Sequence, residues 1–434
     1  MSEVAERSEE EVCDGYKRVE LGPKQERIPA EWDTSKLEEV AVKVGGKKPD
    51  RIEDSPSEDT VPYLTIDALK NGAERFARLG DGKECFSDDL LMVWDGASSG
   101  KVYEGQRGVI GSTLSAIRFD EQKISSEYAY YVLTSLENAV ASLREGGSIA
   151  HVPKDFMSVF ELPKPSIDEQ RRVAAVLSTV DEEIRGTEEI IETTEELKRG
   201  LMQDLLTKGT ENSELRSVQL GLQTVELPRD WKVERVEDIF EIRKNPFRPS
   251  ENEGEVFLYS MPAYDEDKEP KRVGTSEIGS KKRRVPNATI LFPKLNIRKR
   301  RFWRVDHDHE IPAICSTEFL PLVPTSELVL DFYAYYFDSD TFMRNPKISS
   351  SSSTNSHMRV KQQSFEKIRL PVPPVDEQQK IASILEKTDT KLLQERNKKQ
   401  KLHELKRALM QDLLTGEVRT PSDLLETDAT TLDT

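Results

Sequence analysis

Residues 162–207 read LPKPSIDEQRRVAAVLSTVDEEIRGTEEIIETTEELKRGLMQDLLT, and residues 370–415 read LPVPPVDEQQKIASILEKTDTKLLQERNKKQKLHELKRALMQDLLT. The two stretches align without a gap at an offset of 208 residues, and 20 of the 46 positions are identical. Identity is greatest at the ends, where both copies read LPxPxxDEQ and LKRxLMQDLLT. Chance does not produce such agreement, so the chain contains an internal duplication.

Weaker matches precede each copy. IPAEW at residues 28–32 matches LPRDW at 227–231, and YAYY at 128–131 matches YAYY at 333–336. Between these short matches the two halves of the chain diverge freely. The repeated unit is therefore a variable globular domain followed by a matching segment, and it occurs twice.

Each matching segment has the sequence features of one long helix. A proline-containing lead is followed by Asp168 or Asp376, which we expect to cap the helix and to place negative charge at its positive end. No proline follows before Thr207 or Thr415. Apolar residues recur at alternating steps of four and three, which is typical of a coiled-coil seam. They are Val173, Leu177, Val180, Ile184, Ile191, Leu201 and Leu205, and in the second copy Ile381, Leu385, Leu392, Leu402, Leu409 and Leu413.

The charges of the two helices predict that they pair with each other. Residues 181–196 carry eight acids and one base, whereas residues 387–401 carry six bases and two acids. Pairing between the copies avoids contacts between like charges, and an antiparallel arrangement brings the two middles face to face. We therefore expect an intramolecular antiparallel coiled coil. The alternative that remains open is two separate surface helices with solvated charges.

The predicted fold class is α+β, with two mixed α/β domains joined by the two long helices and a pseudo-two-fold relation between the halves. Such a chain suits an elongated partner with two half-sites, such as duplex DNA. The expected segments are an acidic N-terminal extension at 1–27, a first variable domain at 28–165, a first spacer helix at 166–210, a second variable domain at 211–374, a second spacer helix at 375–415 and an acidic tail at 416–434.

The net charge of −17 does not exclude a nucleic-acid partner, because the acidity is localised. Residues 1–60 and 168–196 each carry −7 and residues 416–434 carry −4, so the rest of the chain is near +1. Three distant cysteines match neither a disulfide framework nor a zinc site. The sequence also lacks a secretory signal and an apolar run long enough for a membrane span. These features predict a cytoplasmic protein.

A basic stretch in the second variable domain is the strongest candidate for a DNA contact. Residues 281–304 hold ten bases and no acid, with aromatic residues between them. Unopposed positive charge of this kind binds phosphates, and arginine forks also read guanine edges. A solvated basic loop is the alternative. The bases are Lys281, Lys282, Arg283, Arg284, Lys294, Arg298, Lys299, Arg300, Arg301 and Arg304.

The other candidate contacts are scattered. In the first domain LLMVWDGASSGK at 90–101 predicts a strand that enters a polar turn. Its Ser98, Ser99 and Lys101, together with Arg107, Arg118 and Lys154, are candidates that are equally compatible with ordinary surface. In the second domain His357 and Arg359 follow a serine-rich loop at 349–353 that is compatible with ordering on DNA or with disorder.

Sequence motifs for catalysis are absent. The chain contains no GxGxxG and no P-loop, and Asn245-Pro246-Phe247 lacks the second proline of the NPP[FY] motif of adenine methyltransferases. The pattern therefore favours a binding protein with no cofactor or metal of its own.

Taken together, the chain resembles the specificity subunits of type I restriction-modification systems from residue 28 to residue 415. The marks are the duplicated LPxPxxDEQ lead, the two helices ending in LMQDLLT, the LLMVWDGASSGK segment, and the IPxEW and LPxDW starts. The second domain has no clear GASSG counterpart, and Phe292-Pro293-Lys294-Leu295-Asn296 stands in its place.

The resemblance implies a function without chemistry in this chain. Each variable domain is then a target recognition domain that reads one half of a split, asymmetric sequence in double-stranded DNA. The helices set the spacing and dock methyltransferase subunits, which recruit restriction and translocase subunits. S-adenosylmethionine, ATP and magnesium belong to those partners. Two alternatives remain, a two-lobed coiled-coil adaptor between proteins and a DNA enzyme with an unrecognised active site.

Overall fold

The structure is a computed structural model, and it describes residues 15–22, 24–142, 150–211, 213–306, 310–345, 348 and 359–424. His357 and the serine-rich loop at 349–353 lie outside this part of the chain, as do residues 1–14 and 425–434 of the acidic ends. The chain divides into two compact units. Unit 1 consists of Met1–Glu188 with Lys398–Thr434, and unit 2 consists of Glu189–Asn397.

Unit 1 is a mixed domain of helices and strands. Its strands are β1 (Tyr16–Leu21), β2 (Lys24–Pro29), β3 (Asp33–Lys36), β4 (Ala41–Gly45), β5 (Thr60–Leu64), β6 (Phe76–Arg78), β7 (Glu84–Cys85), β8 (Leu90–Val93), β9 (Val102–Glu104), β10 (Gly108–Ile110), β11 (Leu114–Phe119) and β12 (Glu161–Lys164). Its helices are α1 (Leu37–Val40), α2 (Ile66–Asn71), α3 (Ser126–Ser135), α4 (Glu137–Ser142) and α5 (Phe156–Val159), and the long helix α6 (Ile167–Lys208) leaves it.

Unit 2 has the same kinds of element. Its strands are β13 (Leu215–Leu220), β14 (Gln223–Pro228), β15 (Lys232–Arg235), β16 (Phe240–Ile242), β17 (Pro246–Phe247), β18 (Glu255–Tyr259), β19 (Lys271–Gly274), β20 (Lys282–Arg284), β21 (Thr289–Pro293), β22 (Trp303–Val305), β23 (Ala313–Ser316), β24 (Phe319–Pro324) and β25 (Arg369–Val372). Its helices are α7 (Val236–Ile239), α8 (Met261–Glu266), α9 (Leu330–Asp338), α10 (Asp340–Met343) and α11 (Gln362–Glu366), and the long helix α12 (Val375–Leu414) leaves it.

The two units share one strand order although their sequences diverge. Unit 1 has the sheets β4-β11-β8-β9 and β6-β5-β10-β7, and unit 2 has β16-β24-β21-β22 and β19-β18-β23-β20-β17. In each unit a parallel pair, β5 with β10 or β18 with β23, joins strands of the second sheet. The duplication seen in the helices therefore extends through both variable domains, and unit 2 adds the edge strand β17.

A β-hairpin precedes each variable domain. It is formed by β1 and β2 in unit 1 and by β13 and β14 in unit 2. The expected boundary between residues 27 and 28 falls inside β2. The strand is hard to recognise in the sequence because its first four residues, KQER, are polar and lie at the surface, so they read as part of the acidic extension.

The two long helices run where the sequence predicts them, but aspartate does not cap them. Each helix begins one residue before its aspartate, so Asp168 and Asp376 lie in the first turn. In α6 the hydroxyl of Ser166 accepts a hydrogen bond from the backbone N–H of Glu169 at 3.4 Å. The aspartate charges still lie at the positive end of each helix dipole.

Within each unit α6 packs antiparallel to α12. In unit 1 Asp181 pairs with Lys406 at 2.6 Å, and Glu188 pairs with Lys399 at 2.7 Å. Residue numbers therefore rise along one helix as they fall along the other. In unit 2 Glu195 pairs with Arg396 at 2.6 Å. The predicted pairing of the acidic middle of α6 with the basic middle of α12 is confirmed.

Apolar residues of the helix pair join the core of each variable domain. In unit 1 Val173 and Leu177 of α6 are buried in the same cluster as Leu413 of α12 and Tyr128 of α3. In unit 2 the cluster is formed by Met202 and Leu206 of α6, Ile381 and Leu385 of α12 and Phe332 of α9. Because apolar burial is the main stabilising force, neither helix is separable from the domains that it touches.

The repeated glutamine of the DEQ sequence fixes each helix to its own domain. Gln170 Oε1 accepts from the backbone N–H of Ser125 at 2.9 Å, and Gln378 Oε1 accepts from that of Val329 at 2.9 Å. These contacts make Ser125 equivalent to Val329, an offset of 204 residues. The YAYY sequences match at an offset of 205, so that alignment is one residue out of register with the fold. Because neighbouring positions in both segments are aromatic, the sequence alone does not fix the alignment of the two YAYY segments.

The glycine that follows α6 has a conformation that other residues adopt only with strain. Gly209 has a φ of +79°, and it lies against Trp231 and Glu377. The Glu377 carboxylate accepts a hydrogen bond from the backbone N–H of Thr210 at 2.6 Å. The LPRDW and DEQ sequences therefore meet at the end of α6 and hold the chain as it enters the second hairpin.

We predict that Gly209→Ala destabilises the protein and that Gly200→Ala stabilises it. A Cβ on Gly209 would lie 2.8 Å from Glu377 Oε1 in a left-handed backbone, which costs about 1–3 kcal/mol. Gly200 lies inside α6 with nothing within 4 Å of the added carbon, so alanine contributes about 1 kcal/mol. Guanidinium unfolding midpoints measure both changes. A Gly209→Ala variant as stable as the wild type would contradict the account of this junction.

Candidate nucleic-acid interface

The turn after β8 is the part of unit 1 that the sequence marks most clearly. All four residues of β8 are buried, and the chain then forms the polar turn at 94–101 before β9. The backbone N–H of Gly100 donates to Val93 O at 2.7 Å, and that of Val93 donates to Lys101 O at 2.9 Å. Gly100 has a φ of +88°, and a Cβ there would lie 2.8 Å from Val140 of α4. The predicted strand and turn are both present, and glycine is required where they pack.

The candidate residues of unit 1 differ in exposure. Ser98 and Lys101 share the turn, with Ser98 half-buried and Lys101 exposed, whereas Ser99 is fully buried. Arg107 and Lys154 are exposed on other segments. The guanidinium of Arg118 donates to Asp89 at 2.7 Å, so its positive charge is paired with a carboxylate of the same domain. Ser98 and Lys101 are therefore accessible at the turn, and the Ser99 hydroxyl lies inside.

Trp94 and Asp95 of this turn, with Lys43 and His151 from other segments, were not among the candidate residues. His151 Nδ1 lies 2.6 Å from Asp95 Oδ1, and the two residues form an isolated β-bridge. The Lys43 ammonium lies 3.3 Å from the centre of the Trp94 ring, a cation–π contact. Burial lowers the pKa of Lys43, with Asp95 opposing. Lys43 and His151 come from segments distant from Trp94 and Asp95 in the chain, so no spacing in the sequence links them to the turn.

The counterpart of the turn in unit 2 follows β21. Leu295 forms an isolated bridge with Arg359, as Asp95 does with His151. The Lys294 carbonyl accepts from the N–H of Val360 at 2.8 Å, just as the Trp94 carbonyl accepts from that of Val152 at 3.0 Å. Lys294 and Leu295 therefore occupy the places of Trp94 and Asp95. The segment at 292–296 then corresponds to 92–96, so its expected match with the GASSG segment at 96–100 is four residues out of register.

Arg300, Arg301 and Arg304 of the basic stretch each pair with a carboxylate of their own unit. Arg300 pairs with Asp340 and donates to the Asp338 carbonyl at 2.6 Å. Arg304 pairs with Asp331 at 2.8 Å. In the sequence these charges look uncompensated because their acidic partners lie far away along the chain.

Arg301 is the least accessible arginine of the basic stretch. Only 8% of its side chain is exposed, and its Nε donates to Asp265 Oδ1 at 2.6 Å. The carboxylate holds the guanidinium inside the domain, so we do not retain Arg301 as a DNA contact. The acidic residue belongs to α8, which precedes the basic stretch.

A second group of cations converges around Lys294. Burial lowers the pKa of Lys294, and the charges of Arg283, Arg359 and Lys244 lower it further against the effect of Glu318. Lys244 and Arg359 are exposed, and Arg359 pairs with Glu318 at 2.6 Å. We call Lys244, Arg283, Lys294 and Arg359 the Lys294 cluster. Four cations with one carboxylate, Glu318, give this place a net positive charge, which favours anions.

The remaining bases of the stretch lie at the surface. Lys281, Arg284, Arg298 and Lys299 are exposed, and Lys282 is half-buried with a pKa lowered by burial. Arg284 donates to Asn252 Oδ1 at 3.0 Å and lies over the Phe247 ring. Lys244 was missed because it follows β16, outside the stretch, and only the fold brings it near Lys294.

Equivalent places in the two units thus carry different chemistry. Unit 2 presents the Lys294 cluster at the end of β21, and unit 1 presents Trp94, Asp95 and His151 at the end of β8. Cations suit phosphates and guanine, whereas carboxylate and hydroxyl groups suit donors on base edges.

Comparison with known proteins identifies the family. Residues 29–196 and 228–404 match the model of the type I restriction modification DNA specificity domain. The chain belongs to this family. The family resemblance read from the duplicated helices is therefore confirmed.

Individual specificity subunits match over almost the whole chain. The chain is 25% identical over 415 residues to the type I restriction enzyme MjaVIII specificity subunit of Methanocaldococcus jannaschii, with 91% of this chain and 94% of the relative covered. It is 24% identical over 445 residues to the putative MjaX specificity subunit of that organism, covering 94% and 97%. The crystal structure of the S subunit from M. genitalium shares the fold, with a TM-score of 0.57 at 16% identity over 91% of this chain and 98% of that one.

Membership also bears on catalysis, because type I specificity subunits are non-catalytic. Within the described residues no group of three or more histidine, cysteine or acidic side chains is placed to hold a metal ion. In that same part of the chain no helix is long and apolar enough to cross a membrane.

We predict that Arg301→Ala lowers the free energy of unfolding by about 1–3 kcal/mol, since it removes a charged hydrogen-bond donor held almost entirely within the domain. Lys299→Ala, at an exposed neighbour, serves as the control and should stay within about 0.5 kcal/mol of the wild type. Chemical denaturation monitors both variants. Equal stability of the two would show that the Arg301–Asp265 pair is not structural.

Proposed function

We propose that the chain selects the DNA sequence for a type I restriction-modification complex by reading a split, asymmetric site. The variable domain of each unit reads one half. The observation that carries the proposal is that the two units share one strand order, whereas the side chains that follow the equivalent strands β8 and β21 differ in chemistry. Two domains with the same fold but different surface residues are suited to two half-sites of different sequence in one duplex.

The proposed contacts follow from exposure. In unit 2 the Lys294 cluster, with Lys281, Lys282, Arg284, Arg298 and Lys299, supplies positive charge for phosphates and guanine edges. In unit 1 Ser98, Asp95 and His151 supply hydrogen-bonding groups, and Lys101, Arg107 and Lys154 supply charge. Arg300, Arg304 and Arg359 take part only where DNA displaces their carboxylates.

The chemistry belongs to partner subunits in this proposal. A methyltransferase subunit flips and methylates adenine with S-adenosylmethionine, and a restriction and translocase subunit uses ATP and magnesium. The chain itself holds no cofactor, and it works in the cytoplasm, where the DNA is. Family membership and the match along nearly the whole chain support this assignment.

We further propose that the paired helices dock the methyltransferase subunits and set the distance between the half-sites. We assign the recognition domains to the predicted ranges 28–165 and 211–374, with the first hairpin reaching back before residue 28. The spacer helices are α6 (Ile167–Lys208) and α12 (Val375–Leu414), within the predicted 166–210 and 375–415. The long continuous helices and their ion pairs support a stiff spacer role. The hairpin of β1 and β2 joins the first domain at its N-terminal side.

Neutralising the Lys294 cluster should weaken DNA binding. We predict that Lys244→Gln with Lys294→Gln lowers affinity for the target DNA by about tenfold or more at 0.1 M salt, because phosphate contacts are lost. The slope of log affinity against log salt concentration should fall by about one for each lost phosphate contact. The measurement uses the chain assembled with its methyltransferase subunits and a salt series.

A matched control removes two charges elsewhere. Lys36→Gln with Lys70→Gln changes exposed lysines of unit 1 outside the proposed contacts, and it should leave the salt slope unchanged. Equal slopes for all three proteins would reject the Lys294 cluster as a contact surface. Absence of DNA binding by the assembled wild type would instead favour the protein adaptor. Methylation or cleavage by the chain alone would favour the DNA enzyme.

Lengthening a spacer helix should change the methylated sequence in one respect only. Four residues inserted at 205–207 extend a helix by roughly 6 Å, which is about two base-pair steps. We predict that the methylated motif keeps both half-sequences and gains a longer gap. Sequencing methylated adenines in cells that carry each version of the chain measures this. An unaltered gap would be evidence against the spacing role.

A further inference from the structure

Two matching groups of three polar side chains join the variable domains to the long helices. In unit 1 the Tyr131 hydroxyl donates to Asp181 Oδ2 at 3.0 Å, and Lys406 lies 2.6 Å from Asp181 Oδ1. The Lys406 ammonium is also 5.4 Å from the centre of the Tyr131 ring. The residues come from α3, α6 and α12, so a single carboxylate connects three helices.

The same arrangement occurs in unit 2. The Tyr335 hydroxyl donates to Asp389 Oδ2 at 2.8 Å, and Lys198 lies 2.5 Å from Asp389 Oδ1. The Lys198 ammonium is 5.5 Å from the centre of the Tyr335 ring. Here α12 supplies the aspartate and α6 supplies the lysine, the reverse of unit 1. We call each group a Tyr–Asp–Lys triad.

The sequence retains the triads where the helices have otherwise diverged. Between Gln170 and Glu196 only Ala174, Leu177 and Asp181 are identical to the residues 208 positions later. Ala174 and Leu177 are buried in the apolar core, so Asp181 is the one polar identity in that stretch. The neighbouring charges changed from acidic to basic between the copies. An aspartate kept through that change has a role beyond the charge of the helix face.

The triad is a directional contact among non-directional ones. Tyr128 and Val132 of α3 are buried with Val173 and Leu177 of α6, and such apolar contacts tolerate small rotations. A hydrogen bond to a carboxylate that a lysine also holds weakens steeply with misalignment. Burial, followed by the charge of Asp181, raises the pKa of Tyr131, so its hydroxyl stays protonated and donates. Burial and Asp389 act in the same way on Tyr335.

We propose that the two Tyr–Asp–Lys triads are positioning elements that fix the angle at which each recognition domain is held on the helices. They thereby determine how strictly the complex selects the gap between half-sites. This inference rests on the proposed function. Tyr131, Asp181 and Lys406 act in unit 1, and Tyr335, Asp389 and Lys198 act in unit 2, without touching DNA.

The test removes only the two hydroxyl groups. Tyr131→Phe with Tyr335→Phe keeps the rings and the Asp–Lys pairs. Tyr128→Phe is the control on the same helix, because the Tyr128 hydroxyl is buried with no hydrogen-bond partner among the described residues. The methyltransferase complex of each protein is assayed on duplexes that share both half-sequences and differ by one base pair in the gap. Thermal unfolding of each complex is recorded in parallel.

We expect the double variant to lose about tenfold of its preference for the native gap over gaps one base pair shorter or longer. Its half-sequences should be unchanged, and Tyr128→Phe should retain the wild-type preference. Asp181→Asn with Asp389→Asn leaves one amide oxygen for two donors, the tyrosine hydroxyl and the lysine ammonium, so it should lose at least as much of the preference.

Other outcomes would overturn the proposal. A uniform loss of methylation on all gaps, in step with a lower unfolding temperature, would reduce the triads to a structural role. Unchanged gap preference in the double variant would also reject it. A wild-type complex that is indifferent to the gap would overturn the proposed function itself, and the triads would then have no spacing to select.

Discussion

The structure depends on the pairing of two long helices whose charges are complementary. A surface helix of some forty residues with a narrow apolar seam is unstable in water by itself. Glu188 and Glu195 of α6 pair with Lys399 and Arg396 of α12. Each helix therefore pairs more favourably with the other helix than with a second copy of itself. Exposed ion pairs of this kind contribute little stability individually, and their main effect is to select the partner. Within each unit, apolar residues of both helices join the core of the variable domain.

The sequence predicted the parts that repeat. The gap-free duplication predicted both helices and the family, since alignment at one offset reports shared structure directly. The opposite charges of the two helix middles predicted the antiparallel pairing. The prediction from the sequence failed where neighbouring residues are equally suited to the same role. Ser166 caps α6 instead of Asp168, and the YAYY match was one residue out of register. The prediction also placed the polar first residues of strand β2 in the acidic N-terminal extension.

The candidate site was harder to predict than the fold. A run of ten bases identified the correct region of unit 2 but could not show which charges are occupied. Arg301 lies inside against Asp265, whereas Lys244 joins the cluster from a different strand. In unit 1 the contact between Lys43 and Trp94 and the pair of Asp95 and His151 depend on strand neighbours. Sheet topology brings these side chains together, and the topology cannot be derived from a single sequence.

The discontinuity of unit 1 bears on the order of events during synthesis. Unit 2 is a continuous stretch of chain, but unit 1 needs Lys398–Thr434 to join Met1–Glu188. Translation proceeds from the N-terminus at a limited rate, so the first domain emerges long before the segment that covers Val173 and Leu177. Closing so long a loop also carries an entropic cost. The domain made first is therefore completed last, and in the interval its exposed apolar face is a natural substrate for chaperones.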